Sequence, residues 1–459
     1  MHYFKLQFKR SDVKRKLLPL LLAVTLLTGC STGLSVENLL SAPKLDAQQN
    51  EIYQALINST GSAVKLKYPK GGEYRSAVVV RNIDDEPTDE ALVFYEQDSV
   101  QSGDAALRLK VLDQHEGTWQ VVYDLACIGS EVESIGFTTL GVGNRTDIIV
   151  RFSMLNQTEQ TFSVINYAEG VAKELYTASY SCLEVIDLNG DGFNELITVS
   201  TDKTAGVSTA MMFGRTETGF EKLSETALAG SHSEIISTTK GLISENVSAL
   251  FLDCLRGQGQ YGTDVIYCQD NTLISPDSIG SEPESSIISR FTNDYMADIF
   301  CTDIDSDGFI EIPSTTPLPG YETLTRPEQL CAVQWYTISD NSFALKYYGY
   351  FSSKFRFVLL FPNRWQGVVS AVPNLQDNEI IFIGYDAKTG LEVSDATELM
   401  RIRIVDKNDG EKLKDSAGMT ILGETEEAVY CYSVTNSYKT GSLALTESEL
   451  ENSFILLDK

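Results

Sequence analysis

Asp187-Leu188-Asn189-Gly190-Asp191-Gly192-Phe193-Asn194-Glu195 and Asp303-Ile304-Asp305-Ser306-Asp307-Gly308-Phe309-Ile310-Glu311 align without a gap, and each sits between two apolar runs. Short side chains carrying oxygen alternate along both segments, and Gly192 and Gly308 hold the sixth place, where a turn of positive φ is cheapest for glycine. Weaker copies place Glu90 (NIDDEPTDEALVFY), Asp147 (GNRTDIIVRF) and Asp264 (GQYGTDVIYC) at the ninth position. The five ninth-position acids are separated by 57, 48, 69 and 47 residues. A period of that size is one supersecondary unit, too small to bury its own hydrophobic face, so the units must stack.

Outward from these turns, residues 60 to 345 read as short alternating runs such as SAVVVRN, ALRLKVLD, WQVVYD and DIIVRFS, broken by Gly, Asp and Asn. Period-two alternation at this density predicts β-sheet. The one clear helical candidate is Asn50 to Ser59, with Ile52, Ala55 and Leu56 on one face. The turns resemble the FG-GAP or VCBS-type repeats of integrin-alpha-like propellers, whose hairpins carry D-x-[DN]-x-D-G-x-x-[DE]. The region containing EIYQAL, LKYPKGGEYRSA and NIDDEPTDEALVFY is similar to surface lipoproteins of Gram-positive bacteria built on such repeats. That resemblance covers about residues 50 to 345 and implies a mainly β chain with a β-propeller-like domain of about five to seven blades.

Calcium takes about six to eight hard oxygen ligands, and alternate side chains of a tight loop can converge on one. The expected ligands are Asp187, Asn189, Asp191, the Phe193 carbonyl and Glu195 in the first loop, and Asp303, Asp305, Asp307, the Phe309 carbonyl and Glu311 in the second. An EF-hand is excluded because Thr198 and Ser314 stand where its twelfth-position glutamate would be. A loop that spends its oxygens on an ion leaves no open coordination place, so a structural Ca2+ is expected. The alternative is that these D-G turns only connect hairpins.

The N-terminus carries an address. Lys5, Lys9, Arg10, Lys14, Arg15 and Lys16 precede the apolar run Leu17 to Leu27, which has the layout of a secretory signal. Eleven residues including Pro19 are too few for the roughly 20 of a membrane-spanning helix. Leu27-Thr28-Gly29-Cys30 resembles the bacterial lipobox, which implies that Cys30 becomes a lipidated first residue. Residues 1 to 29 are then the signal peptide, and the protein is extracytoplasmic, held on the cell membrane by palmitate-type acyl chains. The seven later cysteines show no CxxC pair, and most lie in apolar strand-like runs. Cys254 and Cys268 flank a candidate hairpin, where a bridge is one alternative.

Net charge is −28 for the whole chain and −33 from Cys30 onward. Such acidity argues against nucleic acid as a partner, because phosphate contacts need clustered cations. Beyond Cys30 the histidines are His115 and His232, both in polar connectors, and there is no HExxH, GxSxG elbow or GxxxxGK loop. The reading is therefore of a binding protein, not an enzyme, with a protein, peptide or glycan as ligand. Two alternatives stand beside it: a carbohydrate-active hydrolase or lyase using propeller carboxylates, and a structural cell-envelope component.

After Tyr350 the texture changes, and residues 354 to 459 carry a net charge of −6 against −27 for 30 to 353. The expected organisation is a signal peptide at 1–29, a lipidated linker with a short helix at 30–60, the propeller-like domain at 61–349 and a small α+β domain at 350–459. Phe361, Trp365 and Gly367 resemble the opening strand of a module that ends similar lipoproteins, with Trp365 expected in the core. Thr446 and Glu449 have capping-box spacing. Growing cells on a labelled fatty acid tests the address: label should enter the wild-type chain and be lost from Cys30→Ala, and equal labelling of both would refute it.

Overall fold

The computed structural model describes residues 45–457 apart from 85, 98–106, 142–144, 155–159, 169, 203, 217–218, 229–231, 257–259, 277–288, 292–298, 326–327, 340–341, 410–418, 436–437 and 439–440. The signal segment and Cys30 lie outside the described residues. The chain divides into two compact units between Ser59 and Thr60. Ahead of that point runs most of helix α1 (Ala47–Thr60), with Ile52 and Leu56 buried. Asp46 and Gln49 cap it reciprocally: the Asp46 side chain accepts the Gln49 N–H at 2.8 Å, and Gln49 Oε1 accepts the Asp46 N–H at 3.2 Å.

From Thr60 onward the protein is mainly β and is built of antiparallel sheets taken almost in chain order. Sheet 1 holds β1 (Lys65–Leu66), β2 (Val78–Arg81), β3 (Glu90–Glu96), β4 (Leu107–His115) and β5 (Thr118–Ala126). Sheet 2 is a meander of β6 (Glu131–Thr138), β7 (Asp147–Ser153), β8 (Gln160–Ala168) and β9 (Val171–Tyr180). Sheet 3 repeats it with β10 (Cys182–Ile186), β11 (Glu195–Asp202), β12 (Val207–Thr216) and β13 (Gly219–Ala227). Sheet 4 contains β14 (His232–Ser244), β15 (Val247–Arg256), β16 (Gln260–Gln269), β17 (Thr272–Ile274) and β18 (Ser289–Phe291). Sheet 5 contains β19 (Ile312–Pro317), β20 (Cys331–Ser339), β21 (Ser342–Ser352) and β22 (Phe357–Leu360), and sheet 6 contains β23 (Val369–Asn374), β24 (Glu379–Gly384), β25 (Glu398–Asp406), β26 (Thr420–Glu424) and β27 (Ala428–Val434). Helix α2 (Glu447–Ser453), opened by the Thr446/Glu449 capping box, returns the chain to β28 (Phe454–Leu456), which pairs with β22 in sheet 5.

Consecutive sheets pack face to face, and that explains the continuous apolar runs. In β7, Ile148 and Val150 join the cluster with Leu92 and Phe94 of sheet 1, while Ile149 joins Leu196 and Phe213 of sheet 3. Ile197 and Met212 of sheet 3 then meet Leu250 and Leu252 of sheet 4. Phe251 and Val265 of sheet 4 meet Ile312 of sheet 5 and Ile310 just before it. A strand with both faces buried needs apolar residues at odd and even positions alike.

Two expectations are corrected here. The boundary placed at residue 350 runs through β21, and β28 returns to the same sheet, so sheet 5 holds residues from both sides of it. Tyr350 and Phe357 of sheet 5 pack with Phe382 and Met400 of sheet 6 in one cluster, and Trp365 is fully buried there with its indole N–H donated to the Leu443 carbonyl at 2.7 Å. The shift in charge near 350 reflects the loss of acidic turns, while antiparallel sheets continue beyond it. Asp264 is not at a turn: it lies inside β16 opposite Leu252, because β14 and β15 join through the tight turn Glu245–Asn246 without an acidic loop. Cys127, Cys182, Cys254, Cys301, Cys331 and Cys431 are buried thiols, and Cys268 is a half-buried one.

Adjacent sheets are also clipped by backbone. The second acidic loop reaches sheet 4 where the Ile310 N–H donates to the Leu242 carbonyl at 3.0 Å. Gly241 permits this approach, since a Cβ there would come 2.3 Å from Ile310 Cγ1. Overpacking of this kind costs about 1–3 kcal/mol. Gly241→Ala should therefore lower the melting temperature by several degrees, and an unchanged midpoint would show that Ile310 moves aside freely.

Candidate functional site

The recurrent element is a carboxylate at the turn that leads into a long strand: Glu90, Asp147 and Glu195 open β3, β7 and β11, and Glu311 immediately precedes β19. Glu90, Asp147, Glu195 and Glu311 are all buried. Each accepts a backbone N–H from seven residues earlier: Ile83 at 2.8 Å, Leu140 at 3.1 Å, Leu188 at 2.9 Å and Ile304 at 3.0 Å. Those four donors are themselves buried apolar residues. The turn is thus held by an apolar side chain pointing into the sheet stack and a hydrogen bond to the carboxyl group closing its mouth.

Within the first loop the Asp187 carboxylate accepts the N–H groups of Gly190 at 2.8 Å and Gly192 at 2.9 Å, and Gly192 has φ +89°. Asp191 accepts the Phe193 N–H at 2.9 Å, and Asn189 accepts the Asp191 N–H at 2.9 Å. Carboxylate oxygens of Asp187, Asp191 and Glu195 lie within 4.8 Å of one another, so this cluster could hold a metal ion. Of the expected ligands, Asn189 turns its amide toward Asp191 Oδ2 at 3.2 Å, and Phe193 contributes its N–H to the turn. Burial pushes the Glu195 carboxyl up to about 7, with the charges of Asp191 and Asp187 adding to the effect against the Leu188 hydrogen bond.

The second loop has the same frame. Asp303 accepts the N–H groups of Asp307 at 3.0 Å and Gly308 at 2.9 Å, and Asp307 accepts that of Phe309 at 2.9 Å. Carboxylate oxygens of Asp303, Asp305 and Glu311 also lie within 4.8 Å and could hold an ion. Here, however, the Lys346 ammonium reaches Asp305 at 2.8 Å, Asp307 at 2.6 Å and Glu311 at 2.8 Å. Tyr347 donates its hydroxyl to Asp305 Oδ2 at 2.6 Å. Burial works against a charged Asp305, but the hydrogen bonds from Lys346 and Tyr347 outweigh it and hold its carboxyl below the usual range.

The remaining anchors are neutralised from elsewhere in the fold. Asp147 is paired with Arg215 of β12 in the next sheet. Glu379, which heads β24 as Glu90, Asp147 and Glu195 head their strands, is bound by Arg401 at 3.0 Å and by Arg403 Nε at 2.6 Å. Glu379 escapes the nine-residue pattern because its turn from Asn374 is short. The signal that finds it is an acid opening an apolar strand, EIIFIG beside EALVFY, DIIVRF and ELITVS. Among the described residues no cation pairs with Glu90, and its Oε1 is buried without a hydrogen-bond partner.

An open cleft of about 770 Å3 borders the second loop, lined by Asp305, Ser306, Lys346, Tyr347, Asn363 and Asn452 among others. Its size falls in the range of small-molecule sites. His115 ends β4 with a half-exposed ring 3.6 Å from Asp113, and His232 begins β14.

No family model and no curated protein matches the chain. Among solved structures it is similar to the periplasmic gluconolactonase of Pseudomonas aeruginosa, at 11% identity over 71% of this chain and 92% of that one, with a TM-score of 0.26. It is also similar to an exotype rhamnogalacturonan lyase, at 14% identity over 72% of this chain and 62% of the lyase, with a TM-score of 0.23. At these TM-scores the likeness assigns neither fold nor chemistry.

Glu90 gives the site a pH signature. Burial pushes its carboxyl up to about 7, with Asp84 and Asp113 adding to this against the Ile83 hydrogen bond. The folded chain therefore keeps a proton that the unfolded chain releases near 4.5, and its contribution to stability falls as pH rises from there to about 7, then levels off. Between about pH 5 and pH 8 the melting temperature of the wild type should drop relative to Glu90→Gln. Parallel curves for the two proteins would contradict this assignment.

Proposed function

We propose that this chain is a lipid-anchored, extracytoplasmic binding protein whose stacked sheets are the blades of a β-propeller-like scaffold of about six blades. The observation that carries the reading is the repeated turn: four sheets use the same buried acid, the same seven-residue hydrogen bond and the same buried apolar residue. Sheets that are headed alike and packed in chain order are what radial repetition requires. The ligand is a protein, peptide or glycan, and the cleft beside Tyr347 is its candidate seat.

Binding is favoured over turnover because the acid lining that cleft, Asp305, is held by Lys346 and Tyr347. A general acid or base must be free to exchange a proton with its substrate. In the first loop an oxygen-only donor set with a buried glutamate fits a hard cation, and Ca2+ there would have a structural role. Asp187, Asp191 and Glu195 would hold it, relieving their mutual repulsion.

Two measurements test these readings. Added Ca2+ should raise the melting temperature and a chelator should lower it, an effect that Asp187→Asn should abolish; a midpoint indifferent to both reagents refutes the metal assignment. The protein from Cys30 onward, immobilised and exposed to cell-wall glycans and surface extracts, should retain a ligand without altering it, and less of it after Tyr347→Ala. Release of shortened saccharides would instead establish the hydrolase or lyase reading.

A further inference from the structure

The two acidic loops are near copies in sequence and differ in what stands over them. In sheet 5 the pairing of β20 with β21 slips between Trp335 and Tyr336, so that Trp335 faces Tyr347, Tyr336 faces Leu345, and Lys346 is the extra residue of a β-bulge. The same slip occurs in four other sheets. It leaves Val122 extra in β5, Leu175 in β9, Leu223 in β13 and Leu399 in β25. A bulge re-aims one side chain out of the pleat. In sheet 5 that side chain ends on Asp305, Asp307 and Glu311. In sheet 3 the equivalent Leu223 lies near the first loop's glutamate: a Cβ on Gly214 would come 2.8 Å from Leu223 Cδ1 and 4.0 Å from Glu195 Cγ.

We propose that Lys346 is the resident cation of the second loop, a tethered ammonium in place of a metal ion, so that a dissolved divalent cation enters the first loop alone. A lysine ammonium is a compact point charge with three donors, and here three carboxylates surround it. An incoming ion would have to displace a charge that the chain itself holds at the site at high effective concentration. Over the first loop the bulge presents a leucine, and among the described residues no lysine or arginine neutralises Asp187, Asp191 or Glu195. The division of labour between the loops is therefore set by one residue on a strand 35 positions beyond Glu311. The half of this inference that concerns the first loop rests on the cation reading given above, whereas the half that concerns Lys346 does not.

Calorimetric titration with CaCl2, repeated with the luminescent ion Tb3+, reads the number of bound ions directly. The wild type should bind one ion, Lys346→Leu two and Leu223→Lys none, while Lys346→Arg should still bind one. Binding of none by the wild type but one by Lys346→Leu would sustain the role of Lys346 and defeat the calcium reading of the first loop. Two ions on the wild type, one of them lost in Asp303→Asn, would overturn the inference, as would a Lys346→Leu protein with the wild-type count. Should Lys346→Leu fail to fold, Lys346→Met carries the same expectation, and the wild-type count compared with that of Asp303→Asn decides the matter independently.

Discussion

A buried carboxylate that accepts a backbone N–H from seven residues earlier organises this molecule. Placing an ionised acid in an apolar stack is costly unless it is paired or hydrogen-bonded. The turn supplies part of that compensation locally, through the N–H of Ile83, Leu140, Leu188 or Ile304. The same geometry sets where the strand after the turn begins and which side chains face each neighbouring sheet. Because the donor residue is also a core residue, the charged and the apolar interactions form together: losing the carboxylate would loosen the apolar anchor, and losing the anchor would expose the carboxylate to water.

The local hydrogen bond is not sufficient, and the sheets differ in how they complete it. Sheet 2 borrows Arg215 from its neighbour, and sheet 6 uses Arg401 and Arg403 of its own third strand. Sheet 5 uses a lysine on a bulge, and sheet 1 leaves Glu90 to retain a proton. Sheet 4 dispenses with the device and turns in two residues. Only the first loop, in sheet 3, combines three clustered carboxylates with no basic partner among the described residues, which makes it the natural place for an external cation.

Packing between sheets accounts for the other sequence feature, the near-continuous apolar strands. A strand such as β7 serves two clusters at once, with alternate residues on opposite faces. One-sided sheets would have read as strict alternation of apolar and polar residues. Close approach of the turns to the preceding sheet then demands small residues, as Gly241 beneath Ile310 illustrates.

What could be read from the chain alone was whatever contiguous residues decide: the two full acidic turns with their glycines, the strands between them, the helix that carries Ile52 and Leu56, and the Thr446 capping box. The Asp264 assignment failed because nine-residue spacing was matched without a turn to carry it, and Glu379 was missed because its turn is short. The boundary at 350 failed because charge density follows surface loops, whereas sheet membership follows pairing, and β28 pairs with a strand nearly a hundred residues earlier. Counter-ions belong wholly to the tertiary structure. Arg215 meets Asp147 across 68 residues and Lys346 meets Glu311 across 35, distances set by strand register and by a one-residue bulge that no local pattern announces.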